Sequence, residues 1–295
     1  MNRKAPPISS PVLVLGATSL IGRFLLPRLD AIGIDTIALS RGPGLRGTEY
    51  IRWLQADLDD PRLAAALPEI ATVISLAPIW LLPGEALQVL KAKGMKRLIA
   101  FSSTSIFIKA GSDDDGERDV ANALADGEAG VVRFCGAHDI AWTILRPTLI
   151  YAEGRDQNIT RLARIIRRLG FLPLAGAGHG RRQPVHAEDL AVGALLAAIR
   201  PAAHGKAYDL PGGETLTYRQ MAERVFVGMG RRPAILALPG WLWAVGFAVA
   251  KPLLKGATAQ MGKRMDKDLV FPSAPARRDL SWAPREFRPD FRKTR

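Results

Sequence analysis

Two groups of residues in this chain have types and spacings that do chemistry. The first is Gly16-Ala17-Thr18-Ser19-Leu20-Ile21-Gly22, set after the apolar run 12–15 and before a stretch that keeps Ile21, Leu25 and Leu29 on one face. A strand that enters a helix through glycine leaves backbone N–H groups and the positive end of the helix dipole aimed at one spot, which suits a pyrophosphate. The second is the hydroxyl cluster at 102–105, which follows the apolar run 97–101. In an open parallel sheet the carboxyl end of a strand is where ligands sit.

Strands and helices in alternation are needed to hold such groups. Apolar runs at 12–15, 35–39, 50–54, 72–76, 97–101 and 142–145 predict the strands, with helices between them at 83–92 and 128–137. This is the pattern of an α/β protein with a doubly wound parallel, Rossmann-like sheet and a smaller C-terminal substrate domain. The acidic stretch 109–126 predicts a loop with a fraying helix start. The second strand ends at Ser40 and Arg41, a position beside the adenosine ribose in such a fold. Serine followed by arginine leaves room and positive charge for a 2′-phosphate, so NADP is expected in preference to NAD. Asp57 and Leu58 follow the third strand, and Leu76, Ala77 and Pro78 follow the fourth, where small residues let the backbone approach a cofactor. The cofactor-binding set expected is Gly16, Thr18, Ser19, Leu20, Ile21, Gly22, Ser40, Arg41, Asp57, Leu58, Leu76, Ala77, Pro78, Ser102 and Pro147.

With 295 residues, 48% apolar and 23% charged, the chain can bury a substantial core, and disorder over most of its length is excluded. The expected division is a dinucleotide-binding domain at 1–152 and a mainly substrate-binding domain at 153–295, with 183–210 returning to the first. The formal charge of +13 gathers in Arg161, Arg164, Arg167, Arg168, Arg181 and Arg182 and again in 277–295. Zinc-finger spacing, a glycine-rich RNA loop and aromatic–basic interleaving are all missing from the sequence, so nucleic acid is not an expected partner. The single Cys135 excludes an internal disulfide framework, and no metal site is expected.

Residues 1–11 lack the apolar core of a secretory leader, which makes the cytoplasm the expected location, with membrane association the alternative. That alternative rests on 234–250, a stretch without charge that carries Trp241 and Trp243 and is followed by Lys251 and Lys255. It reads first as a buried helix and second as a peripheral contact with a membrane or lipophilic partner. A short strand at 269–271 and a helix at 275–280 close the chain. A small-molecule or lipophilic substrate and a monomer or homodimer complete the expectation.

The order GATSLIG (16–22), Ser40-Arg41, ADLDD (56–60), FSSTSIF (101–107), WTILRPTLIY (142–151) and PVHAEDLA (184–191) resembles the extended short-chain dehydrogenase/reductase family. The likeness is to its NAD-dependent, sugar-nucleotide epimerase/dehydratase branch and atypical relatives, and RMDKDLVF and ARRDLSWAPREFRP are similar to that family's closing segment. The family's middle glycine is Ser19 here, whose N–H still serves a phosphate. The resemblance implies a hydroxyl residue at the end of strand five, and a tyrosine and lysine four residues apart on the next helix. There the phenol exchanges a proton with the reacting group and the ammonium lowers its pKa. Ser103 matches the hydroxyl by its spacing to Phe107. Val120 and Leu124 stand at the tyrosine and lysine positions, and a shift of one helical turn puts Leu124 and Glu128 there, so neither register restores the pair.

The resemblance therefore implies an atypical NADP-dependent reductase or epimerase-like oxidoreductase acting on a carbonyl or hydroxyl substrate. Ser103, Glu128 and His186 are its candidate catalytic residues, His186 because an imidazole titrates near neutrality. A non-catalytic nucleotide-binding sensor or assembly protein is the alternative.

Overall fold

The computed structural model describes residues 8–239 and 265–292. In chain order the elements are β1 (Val12–Leu15), α1 (Gly22–Ala31), β2 (Thr36–Ser40), β3 (Ile51–Gln55), α2 (Leu63–Ala66), β4 (Thr72–Ser75), α3 (Glu85–Ala92), β5 (Arg97–Phe101), α4 (Ser105–Ile108), α5 (Asp115–Ala137) and β6 (Ala141–Pro147). There follow β7 (Ile150–Tyr151), α6 (Ile159–Leu169), β8 (Leu172–Ala175), β9 (Arg181–Arg182), β10 (Val185–His186), α7 (Ala187–Ile199), β11 (Lys206–Leu210), β12 (Leu216–Thr217), α8 (Tyr218–Gly228), β13 (Ile235–Leu238) and α9 (Ala274–Leu280). They form two compact units: one of residues 1–147, 187–210 and 273–283, the other of 148–186, 211–272 and 284–295. No helix among the described residues is long and apolar enough to cross a membrane.

The first unit is built on a seven-stranded sheet in the order β11-β6-β5-β4-β1-β2-β3, with every neighbouring pair parallel. β1, β2, β4 and β5 are buried along their whole lengths, as strands covered on both faces must be, which is why they read as near-continuous apolar runs. Strand order reverses at β1, which lies between β2 and β4, so the crevice for a ligand opens at the carboxyl ends of β1 and β4. Leu25 and Leu29 of α1 are fully buried, and one core cluster joins Leu13, Leu15, Val73, Leu98, Leu124 and Val131.

The loop with a fraying helix start expected over 109–126 is corrected in part: 109–114 is irregular, but a full helix runs on from Asp115. α5 begins at Asp115 because the Asp114 carboxylate accepts the Glu117 N–H at 3.0 Å and caps the first turn, where Asp115 and Glu117 also suit the helix dipole. An acidic stretch that reads as solvated loop is here a helix start.

Among the described residues the second unit holds three two-stranded pairs, β7 with β10, β9 with β12 and β8 with β13, around a core that includes Tyr151, Ile159, Ile166, Leu174, Phe226 and Phe287. Two further expectations are corrected in this unit. The run 234–250 does not begin as a helix: Ile235–Leu238 is β13, paired in parallel with β8, while 240–250 lies outside the described residues. Residues 269–271 form no strand, because Leu269 N–H donates to the Arg181 carbonyl while Phe271 N–H donates to the Gln183 side chain, leaving no ladder.

α6 starts against a buried carboxylate. Asp156 Oδ1 accepts the N–H groups of Asn158, Ile159 and Thr160 at 2.7, 2.6 and 3.2 Å, and Oδ2 accepts the Thr160 hydroxyl at 2.6 Å. Alanine at this position leaves those buried donors unpaired, a loss of about 2–4 kcal/mol. Urea unfolding of Asp156→Ala is expected to show that drop, and a midpoint equal to the parent's would contradict the anchoring role.

Candidate functional site

The turn from β1 into α1 is closed by contacts that exclude side chains. Gly16 has φ +67°, and a Cβ on it would lie 2.9 Å from Ala77 N and 3.1 Å from the Leu76 carbonyl carbon. A Cβ on Gly22 would lie 2.1 Å from the Ala17 carbonyl oxygen. Ser19 organises the middle of the turn: its N–H donates to the Gly16 carbonyl at 2.9 Å, and its Oγ accepts the Gly22 N–H at 3.2 Å. The N–H groups of Thr18, Leu20 and Ile21 make no hydrogen bond among the described residues, and no acid stands in the first turn of α1. They are donors at the positive end of a helix.

At the ends of the neighbouring strands, Ser75 Oγ and Ser102 Oγ are buried and have no hydrogen-bond partner among the described residues. Buried hydroxyls are rarely left so. Turn donors and strand-end hydroxyls together fit a dinucleotide, whose pyrophosphate and sugar oxygens supply the acceptors.

The other residues expected at the cofactor are placed as follows. Ser40 is 4% exposed and donates its hydroxyl to the Gly42 carbonyl at 2.7 Å, while Arg41 is exposed and its carbonyl accepts from Gln55. Asp57 accepts the N–H of the buried Leu58 at 2.7 Å, and the Pro78 carbonyl accepts the Leu81 N–H. The Pro147 carbonyl accepts both the N–H and the hydroxyl of Thr104, tying the end of β6 to the hydroxyl cluster after β5.

In that cluster Ser103 Oγ accepts the Ser105 N–H at 3.1 Å, and its own proton is engaged by no described residue. Glu128 is buried on α5, with Oε1 accepting Arg146 Nε at 2.8 Å and Oε2 accepting Nη2. The hydrogen bond to Glu128 raises the Arg146 pKa, and the guanidinium also lies 5.1 Å from the centre of the Phe107 ring and 3.9 Å from Asp209 Oδ1. Burial pushes the Asp209 carboxyl up; Arg146 opposes that shift and Glu128 adds to it. Leu124 belongs to the core cluster and Val120 packs against it.

His186 is in the second unit, with Nε2 3.3 Å from Glu153 Oε2 and its ring edge-on to Tyr151. Burial pushes Glu153 up, but its hydrogen bonds, led by the one from His186, leave it below the ordinary carboxylate value. The sequence reading passed over Arg146 and Asp209. Arg146 was visible in WTILRPTLIY (142–151), whereas Asp209 comes beside it only through the register of β11 on β6, which pairs the two residues.

Residues 80–210 match the NAD dependent epimerase/dehydratase family. The chain is similar to "NADH dehydrogenase [ubiquinone] 1 alpha subcomplex subunit 9, mitochondrial" of Arabidopsis thaliana, at 27% identity over 81% of this chain and 62% of that protein. It thus spans less than two thirds of that relative. It is also similar to the 2-alkyl-3-oxoalkanoate reductase of Stenotrophomonas maltophilia, at 28% identity over 74% of this chain and 76% of that one. Among solved structures it superposes on MoeE5 in complex with UDP-glucuronic acid and NAD, with a TM-score of 0.69, 22% identity and 94% of each chain covered. For the Bacillus cereus UDP-glucuronic acid 4-epimerase in complex with UDP-glucuronic acid and NAD, the TM-score is 0.67 at 15% identity, covering 93% of this chain and 94% of that one.

These structural neighbours hold NAD, which overturns the NADP preference expected from Ser40 and Arg41. The Ser40 hydroxyl proton is engaged within its own turn and so is not offered to a 2′-phosphate. NAD is expected to raise the melting temperature of the parent chain and not that of Gly22→Ala, and an equal rise in both would place the ligand away from the β1–α1 turn. Residues 80–210 thus carry the match to the NAD dependent epimerase/dehydratase family, and the fold of the chain is the one these solved structures share.

Proposed function

We propose that this chain is an atypical NAD-dependent oxidoreductase that interconverts a carbonyl and an alcohol without a tyrosine–lysine relay. The observation that carries this reading is Ser103, whose Oγ accepts a backbone N–H and so keeps its own proton to give, beside the orphaned Ser102 hydroxyl at the carboxyl end of β5. Bound NAD would supply hydride exchange with the substrate carbon. The N–H groups of Thr18, Leu20 and Ile21 would hold the pyrophosphate, and the Ser75 and Ser102 hydroxyls would be free to bond its sugar oxygens. In reduction Ser103 would pass its proton to the carbonyl oxygen and regain one from water, and in oxidation it would take the alcohol proton and release one to water. Glu128 acts by fixing Arg146, since both of its oxygens are engaged. With Val120 and Leu124 apolar, orientation of the reacting groups carries more of the rate than proton transfer does.

The similarity to an alkyl-oxoalkanoate reductase supports an oxo acid as the first substrate class to try. A second reading, a nucleotide-binding sensor or assembly protein, is favoured by the apolar Val120 and Leu124 and by the likeness to the Arabidopsis subunit. NADH oxidation followed by absorbance with a panel of 3-oxoalkanoates separates the two. The oxidoreductase reading predicts turnover that falls roughly tenfold or more in Ser103→Ala with NADH affinity unchanged. NADH binding without turnover on any member of the panel would favour the second reading.

A further inference from the structure

We propose that the second unit docks on an anionic lipid bilayer through the outer face of α6 and the paired strands β8 and β13. Between residues 157 and 187 the chain has no aspartate or glutamate, and between 224 and 265 it again has none. α6 and β8 come from the first of these stretches and β13 from the second, and parallel pairing sets Leu172 opposite Ile235 and Pro173 opposite Leu236. Folding therefore brings β8 and β13, one strand from each acid-free stretch, side by side.

α6 turns Ile159, Leu162, Ala163 and Ile166 into the core of its unit, which leaves Arg164, Arg167 and Arg168 exposed on the opposite side. None of these arginines has an acidic partner among the described residues. Arg231 reaches the same end of the helix, donating to the Ile166 carbonyl at 3.0 Å, and the exposed Arg232 follows it. Cations at a helix C-terminus are favourable on their own account. The apolar residues among them have no such account: Leu169 is 50%, Phe171 39% and Leu236 50% exposed. Strand alternation explains the grouping, because Leu172 and Leu174 point into the core, so Phe171 and Pro173 share the other face with Leu236.

Single exposed apolar side chains need no explanation, but three on the segments that carry these exposed arginines match the headgroup boundary of a bilayer. There arginines meet lipid phosphates while apolar side chains enter the acyl region. A nucleic acid would satisfy the arginines but offers nothing to Leu169 and Leu236, and it favours stacked aromatic side chains.

Flotation of the full chain with vesicles of phosphatidylcholine alone, and of phosphatidylcholine with phosphatidylglycerol, tests the proposal. Binding is expected only with phosphatidylglycerol, and it weakens as salt is raised. The triple variant Arg164→Glu, Arg167→Glu, Arg168→Glu is expected to lower partitioning at least about tenfold, since each basic residue near such a surface is worth several-fold. The triple variant Leu169→Ser, Phe171→Ser, Leu236→Ser is expected to weaken binding and leave only a salt-reversible remainder. Cooperative urea unfolding like the parent's keeps loss of folding from passing as loss of docking. Three results would overturn the proposal: no vesicle binding, equal binding to both vesicle types, or full binding by the arginine variant. Retention by duplex DNA or RNA without vesicle binding would likewise overturn it and make this a nucleic-acid surface.

Discussion

No side chain larger than a hydrogen atom fits at residue 22, because the carbonyl oxygen of Ala17 stands where a Cβ would go. That approach lets the chain pass from β1 into α1 in so few residues that the head of the helix faces the carboxyl ends of the strands. Gly16 imposes the matching constraint on the other side, where its left-handed backbone sits against Leu76 and Ala77 and ties the turn to the strand next to β1 at the switch point. Three N–H groups without a partner among the described residues are the outcome, and they are held by backbone contacts and the Ser19 hydroxyl. Anion binding at such a site costs little rearrangement.

The distribution of charge around that edge follows from burial. α5 gives its inner face to the core, and Leu124 lies there with almost no exposure, so an ammonium at this position would have to lose its hydration without a partner. Polar chemistry is left to the strand ends, where Arg146 and Asp209, with Glu128 reaching them from α5, form a partly buried ionic cluster and Ser102 and Ser103 carry the hydroxyls. Truncating one member of such a cluster is more damaging than the pair is stabilising, because the remaining charge stays buried. The cluster fixes the end of β6 and β11, and the neighbouring β5 presents Ser103.

Much of this was legible in the residues. Fully buried parallel strands announce themselves as apolar runs, and the Gly16 to Gly22 spacing admits few alternatives once a strand precedes it. Elsewhere local composition misled. The acidic stretch before Gly116 looks like solvated loop until Asp114 is seen to cap a helix, and the uncharged run through Ile235–Leu238 suits a strand and a helix equally until β8 supplies a partner. Asp209 could not be read at all, since only the register of β11 on β6 brings it to Arg146. Ser40 and Arg41 carried a plausible charge argument for NADP, but sequence does not say where a hydroxyl proton goes, and here it goes to Gly42.

The account stands on the turn between β1 and α1 holding a dinucleotide. Calorimetric titration of the full chain with NADH tests this most directly. Saturable binding with one NADH per chain is the result the account predicts. Absence of any saturable heat, in a chain shown to be folded, would contradict it.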